Sequence, residues 1–147
     1  MEGAMEHLRF NQPILESEYP YTGVEGTCKS SSIKSASPIQ AIADWDNVVP
    51  DSTGENIANA VQKGAVSVAI DASSFSFQFY RSGVLKSCPN SGLNHGVAVV
   101  GYGILSGEEF FLIKNSWGKG WGDKGYVRVK VSGNNCGVNE DALTLTL

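Results

Sequence analysis

The sequence predicts an α+β chain, mainly an antiparallel, barrel-like β domain entered through a short N-terminal helical segment. Helical spacing is confined to the first residues and one later stretch. Strand-like runs fill most of the second half, and two of the longest flank a short glycine-containing turn.

Met1, Ala4, Met5 and Leu8 recur at three- and four-residue steps, so residues 1–11 predict a helix, stopped soon after by Pro13. Glu16 to Ser37 holds Tyr-Pro-Tyr, two glycines and a Ser/Lys-rich run without sustained period, and predicts loop. Ile39 to Trp45 alternates as a strand does. Asp51, Ser52 and Thr53 offer N-caps for a helix through Lys63, with Ile57, Ala60 and Val61 as its apolar set and Gly64 closing it. Ala65 to Ile70 and Gly83 to Leu85 predict short strands. Leu93 to Ile104 and Glu109 to Asn115, joined through Ser106-Gly107-Glu108, predict a hairpin. Strands over Tyr126 to Val131 and Ala142 to Leu147 follow a Gly/Trp-rich loop, Trp117 to Lys124.

With 147 residues, 41% of them hydrophobic, the chain suits one globular core. A net charge of −4 without any Lys/Arg cluster argues against nucleic acid as a partner. No apolar run is long enough to span a bilayer, and residues 1–10 mix Glu, His and Arg unlike a secretory leader. Of the three cysteines, Cys28, Cys88 and Cys136, none has zinc-ligand spacing, and no cofactor or metal is expected. Spacing alone leaves two readings open: three reduced thiols, or an oxidised chain whose odd cysteine pairs elsewhere.

Only two histidines are present. His7 stands among polar neighbours on the first helix and reads as a surface residue. His95 lies inside an otherwise almost wholly apolar strand, where a core histidine with satisfied nitrogens is the plainer reading. The hairpin adds a second reading. It brings His95 within a few residues of facing Asn115, and Gly96 and Gly101 allow a bulge that adjusts the register. The Asn115 carbonyl would then accept a hydrogen bond from the imidazole and fix its tautomer, leaving the other nitrogen to handle a proton. Trp117 and Trp121 follow, as covers for that bond or as core aromatics.

Residues 94–103, Asn-His-Gly-Val-Ala-Val-Val-Gly-Tyr-Gly, resemble the histidine strand of papain-like cysteine peptidases. Lys114-Asn115-Ser116-Trp117-Gly118, Trp121-Gly122 and Gly125-Tyr126 resemble that family's asparagine segment. Tyr19-Pro20-Tyr21 with Cys28, residues 64–69 and Cys136-Gly137-Val138 are further landmarks in the same order. The resemblance covers nearly the whole chain and is closest to the cathepsin L-like branch. It implies the C-terminal portion of a papain-like domain, with residues 1–12 as a helix remnant of the N-terminal side and 13–147 as mainly the β domain.

The resemblance also implies roles. His95 is the proton carrier for a cysteine nucleophile and Asn115 its orienter, while Trp117 shields their contact and Trp121 lines the leaving-group side. Cys88 and Cys136 align with a disulfide, and Cys28 with a half-cystine whose partner lies in a missing N-terminal half. Met1, Ala69, Asn94, Gly96 and Asp141 map to the S2 pocket. Small Ala69 and Gly96 make it roomy, and Asp141 at its floor favours basic as well as apolar P2 side chains; a solvated acid beside Glu140 is the alternative for Asp141.

The implied partners are a peptide or protein substrate, the missing half, and a propeptide or cystatin-like inhibitors. The implied setting is a lysosome or vacuole, or secretion. The departure from the pattern is that no Cys-Gly-Ser-Cys-Trp-like nucleophile segment occurs. The expectation is therefore an inactive chain on its own, with a non-catalytic papain-fold binding or structural module as the alternative. A self-standing β domain with reduced thiols is a third reading.

Overall fold

The structure is a computed structural model that describes residues 1–29, 41–48 and 54–146. The chain divides into two compact units, one of Met1–Trp45 with the last two residues and one of Asp46–Leu145.

In the first unit, helix α1 spans Glu2–Phe10 and buries Met5. It ends at Asn11, whose backbone N–H and side-chain amide both donate to the His7 carbonyl, at 3.0 Å each. Over residues 16–29 the expected loop is held by its own side chains: the Glu16 carboxylate accepts from Tyr21 N (2.8 Å), and the Tyr19 hydroxyl accepts from Lys29 N (3.1 Å). Its remainder, 30–37, lies outside the described residues. Cys28 is exposed. The expected strand over 39–45 is displaced: Ile42 N instead donates to the Leu8 carbonyl, and strand β1 forms at Asp44–Asn47. Residues 39 and 40, and the expected N-caps 51–53, lie outside the described residues.

The second unit is built on helix α2 (Gly54–Val61) and strands β2 (Val66–Ile70), β3 (Val84–Leu85), β4 (His95–Leu105), β5 (Glu108–Lys114), β6 (Tyr126–Lys130) and β7 (Ala142–Thr146). The sheet order is β1-β7-β2-β4-β5-β6-β3. Its ladders are antiparallel except at the edge, where β3 runs parallel to β6. Val66, Val68 and Ile70, alternating along β2, are fully buried with Val99, Phe111, Ile113, Val127 and Val129, and α2 adds Ile57. This is the period-two alternation of a sheet with one packed face.

The β4–β5 hairpin turns on two residues rather than the expected three. Ser106 and Gly107 both take positive φ (52° and 81°), as a type I′ turn requires, and Glu108 already pairs with Leu105.

A helix not anticipated from the sequence, α3 (Phe75–Gln78), follows β2, with Ser74 as its N-cap accepting from Phe77 N. A 3-10 turn at Asn135–Gly137 precedes β7. It carries Cys136, which is bonded to Cys88 across 48 residues of sequence. Closing a loop of that length is worth about 4 kcal/mol on the chain-entropy account.

Candidate active site

The register of the hairpin decides which way His95 points. Near the turn Tyr102 pairs with Phe111, and further along Val99 pairs with Ile113, so Val100 has no counterpart. This is the β-bulge that nearby glycines permit, and it shifts the alternation of β4 by one residue. Without it Gly96 and Ala98 would face the buried side. With it Val99, Val97 and His95 do, opposite Val66, Val68 and Ile70 of β2. His95 therefore shares a face with Ile113 and, two residues on, Asn115.

The two side chains meet. His95 Nε2 lies 2.8 Å from Asn115 Oδ1. The Ser116 backbone N–H donates to that same Oδ1 at 2.8 Å, which identifies the atom as the amide oxygen. Because Oδ1 can only accept, Nε2 carries the proton and donates it. In the neutral ring Nδ1 is then bare and able to take a proton. Asn115 is 8% exposed, its backbone N–H donates to Gly125 O, and its Nδ2 has no partner among the described residues.

An aromatic cluster backs the pair. The Trp117 ring lies 5.2 Å from the His95 ring at a 32° tilt. It packs edge-on to Trp121 (5.3 Å) and Phe77 (5.5 Å). Trp121 leans on Phe77 and Tyr80, and its Nε1–H donates to the Gln78 carbonyl at 2.9 Å. Phe77 is fully buried, whereas Trp117 is 42% exposed, so its cover is one-sided. The loop bearing Trp121 depends on Gly122, which has φ of 59° and whose added Cβ would sit 2.6 Å from the Tyr126 carbonyl oxygen.

On the other side of His95, several residues assigned to the S2 pocket come together. Ala69 pairs with Gly96, and its N–H donates to the Asp141 carbonyl at 3.0 Å. Asn94 N donates to Ile70 O at 2.9 Å. Met1 belongs to the first unit, as the N-cap of α1.

The sequence reading missed two sets of residues around the site. Phe77 and Tyr80 under the tryptophans lay in a segment assigned no element. Their signal was Ser74 followed by aromatics at 75, 77, 79 and 80. Asp71 was missed as well. It is 1% exposed, and its carboxylate accepts from Ser73 N and Oγ, Ser91 N and Asn94 Nδ2. Those donors, the Ser73 hydroxyl foremost, hold the carboxyl well below the usual carboxylate range.

The arrangement can accept and return a proton at one imidazole nitrogen of fixed orientation, beside a partly open apolar wall. Among the described residues no group of acidic, cysteine and histidine side chains is placed to hold a metal ion, and no helix is long and apolar enough to cross a membrane.

Comparison with known proteins shows the family. The papain family cysteine protease model matches residues 1–146. Cysteine proteinase 1 of Entamoeba histolytica is 44% identical over 141 residues, which is 93% of this chain and 43% of that protein. Digestive cysteine proteinase 3 of Homarus americanus is 43% identical over 143 residues, covering 94% and 43%. The bromelain protease of Ananas comosus superposes with a TM-score of 0.85 at 34% identity, covering 98% of this chain and 67% of that one. The digestive procathepsin L 3 of Tenebrio molitor larval midgut gives 0.87 at 36%, covering 100% and 48%. The chain thus spans somewhat less than half the length of these curated relatives. The chain belongs to the papain family of cysteine proteases.

Proposed function

We propose that this chain is the histidine-bearing half of a thiol-dependent peptidase of the cathepsin L-like branch, and that its nucleophile is supplied by polypeptide outside these 147 residues. The observation that carries the reading is the His95 Nε2–H donated to Asn115 Oδ1, which leaves Nδ1 as the free base. Cys88 and Cys136 are spent on a disulfide and offer no thiolate.

In this reading Nδ1 takes the proton of a cysteine thiol, and the thiolate adds to the peptide carbonyl carbon. The imidazolium then protonates the departing amine as the C–N bond breaks, leaving a thioester. Water, deprotonated by the same nitrogen, hydrolyses the thioester and releases the thiol. Asn115 keeps the ring aimed throughout. Trp117 shields the bond from water, and Trp121 borders the leaving-group side. Ala69, Asn94, Gly96 and Asp141 form the S2 wall and floor. The partners are peptide substrates, a Cys-bearing N-terminal half that also bonds Cys28, and propeptide or cystatin-like inhibitors, in a lysosomal, vacuolar or secreted setting.

The test joins the chain to a Cys-Gly-Ser-Cys-Trp-bearing N-terminal half of a papain-family protease. Thiol-dependent cleavage of a fluorogenic dipeptide should appear in the joined protein, vanish with His95→Ala, and be absent from the 147-residue chain alone. Cleavage by the chain alone that depends on His95, or by a joined protein indifferent to His95→Ala, would refute the reading.

A further inference from the structure

His95 is the first residue of β4; it pairs with Ile70 of β2, while the β4–β5 ladder begins only at Ala98. The chain reaches it through residues 86–94, which have no regular structure. The first part of that approach is held through the Cys88–Cys136 disulfide and the Asn90–Glu140 hydrogen bond, and its last part, residues 91–94, by Asp71, just past the end of the neighbouring strand. Among the described residues no cation pairs with this buried carboxylate; its four hydrogen bonds come from neutral donors. Burying an unpaired charge is unfavourable unless hydrogen bonds offset it, and an apolar side chain would fill the space without that penalty.

The donors show what the charge holds. Two come from Ser73 beside it in sequence. The other two come from the approach to His95: Ser91 N at 2.6 Å and Asn94 Nδ2 at 3.0 Å. Asn94 is tied further. Its Oδ1 accepts from Ala72 N (3.0 Å), its Nδ2 also donates to Gly92 O (3.3 Å), and its backbone N donates to Ile70 O (2.9 Å). The residue preceding His95 is thus clamped to residues 70–72, directly beside the Ile70–His95 pair.

We infer that Asp71 is a positioning residue for His95, acting through Asn94 and Ser91 to fix the strand end so that Nε2 meets Asn115 and Nδ1 stays free. The catalytic meaning of this rests on the function proposed above, but the geometry can be tested without activity.

The experiment measures solvent exchange of the His95 Nε2 proton by NMR in the 147-residue chain. It compares wild type, Asp71→Asn, Asn94→Ala, the double variant and Ser73→Ala. Asp71→Asn and Asn94→Ala should each speed exchange roughly tenfold, as losing one hydrogen bond to a charged group would. The double variant should be no faster than the faster single one, because both break the same link. Ser73→Ala removes only the hydroxyl donor, which does not reach residues 91–94, and should stay within about twofold of wild type, well short of the loss of one such bond.

Amide exchange at Val99 and Ile113 reports whether the sheet itself has loosened. Should Asp71→Asn fail to fold, the contrast between Asn94→Ala and Ser73→Ala decides the matter alone. Wild-type exchange in Asn94→Ala, additive effects in the double variant, or equal acceleration by Ser73→Ala would overturn the proposal. None of these outcomes depends on peptidase activity, so a failure of the catalytic reading is distinguishable from a failure of this one.

Discussion

Two polar clusters flank the Ile70–His95 pair, and they are built in opposite ways. The Asp71 cluster is saturated: its carboxylate meets four donors, and it is nearly inaccessible to solvent. The His95–Asn115 cluster is left incomplete, with one imidazole nitrogen uncommitted and Asn115 Nδ2 unpartnered among the described residues. Saturation removes reactivity and fixes backbone, whereas spare valence next to fixed geometry is what proton transfer needs. In the function proposed above, the first serves as scaffold and the second as the working part.

The strongest way to break this arrangement is to remove what lies beneath it. Phe77 is fully buried and touches both Trp117 and Trp121. Phe77→Ala should cost about 3–5 kcal/mol in denaturant unfolding and unseat the Trp117 cover along with it. A cost under about 1 kcal/mol, the range of well-tolerated apolar swaps, would show that the cluster repacks freely.

Next comes the open cluster itself. Asn115→Ala deletes the acceptor that aims the ring. In a joined, active protein it should lower kcat about a hundredfold, the scale of a small misplacement of a catalytic group, with little change in KM. A change confined to KM would mean that Asn115 binds substrate instead of orienting His95.

The saturated cluster is sharpened by acid. Asp71 is held below its ordinary value in the folded state, while an unfolded aspartate titrates near about 3.9. Below about pH 4 the unfolded chain therefore binds the proton more readily, so the stabilisation present at neutral pH is lost as pH falls. Asp71→Asn should flatten the fall in unfolding midpoint between about pH 5 and pH 2, the window set by that ordinary value, whereas an unchanged slope would remove Asp71 from the acid response.

The smallest effect concerns Asp141, the S2 floor of the proposed function. Asp141→Ala in the joined protein should reduce the preference for Arg over Leu at P2 by roughly tenfold or less, the worth of a half-exposed charge pair. Equal discrimination before and after would show that Asp141 is a solvated acid.

Much of this contrast is legible in the sequence where the signals are local. The hairpin follows from alternation and a Ser-Gly turn, and with it the nearness of His95 and Asn115. The bulge falls at Val100, between the two glycines that permit it, and the Cys88–Cys136 bond follows the family pattern. What was not legible is non-local. Asp71 draws donors from positions 73, 91 and 94, and no periodicity announces a carboxylate that is satisfied partly by a loop some twenty residues further along the chain. Strand β1 shifted because Ile42 bonds to the α1 carbonyl of Leu8, a tertiary contact that local alternation cannot foresee. Helix α3 is four residues long, too short for its spacing to stand out against its aromatic content.

The central claim is that His95 donates from Nε2 and offers a bare Nδ1. Nitrogen-15 NMR of the neutral imidazole in the folded chain reads this directly. The account predicts a protonated Nε2 and an unprotonated Nδ1, with that preference lost in Asn115→Ala. A protonated Nδ1, or a tautomer ratio indifferent to Asn115→Ala, would contradict it.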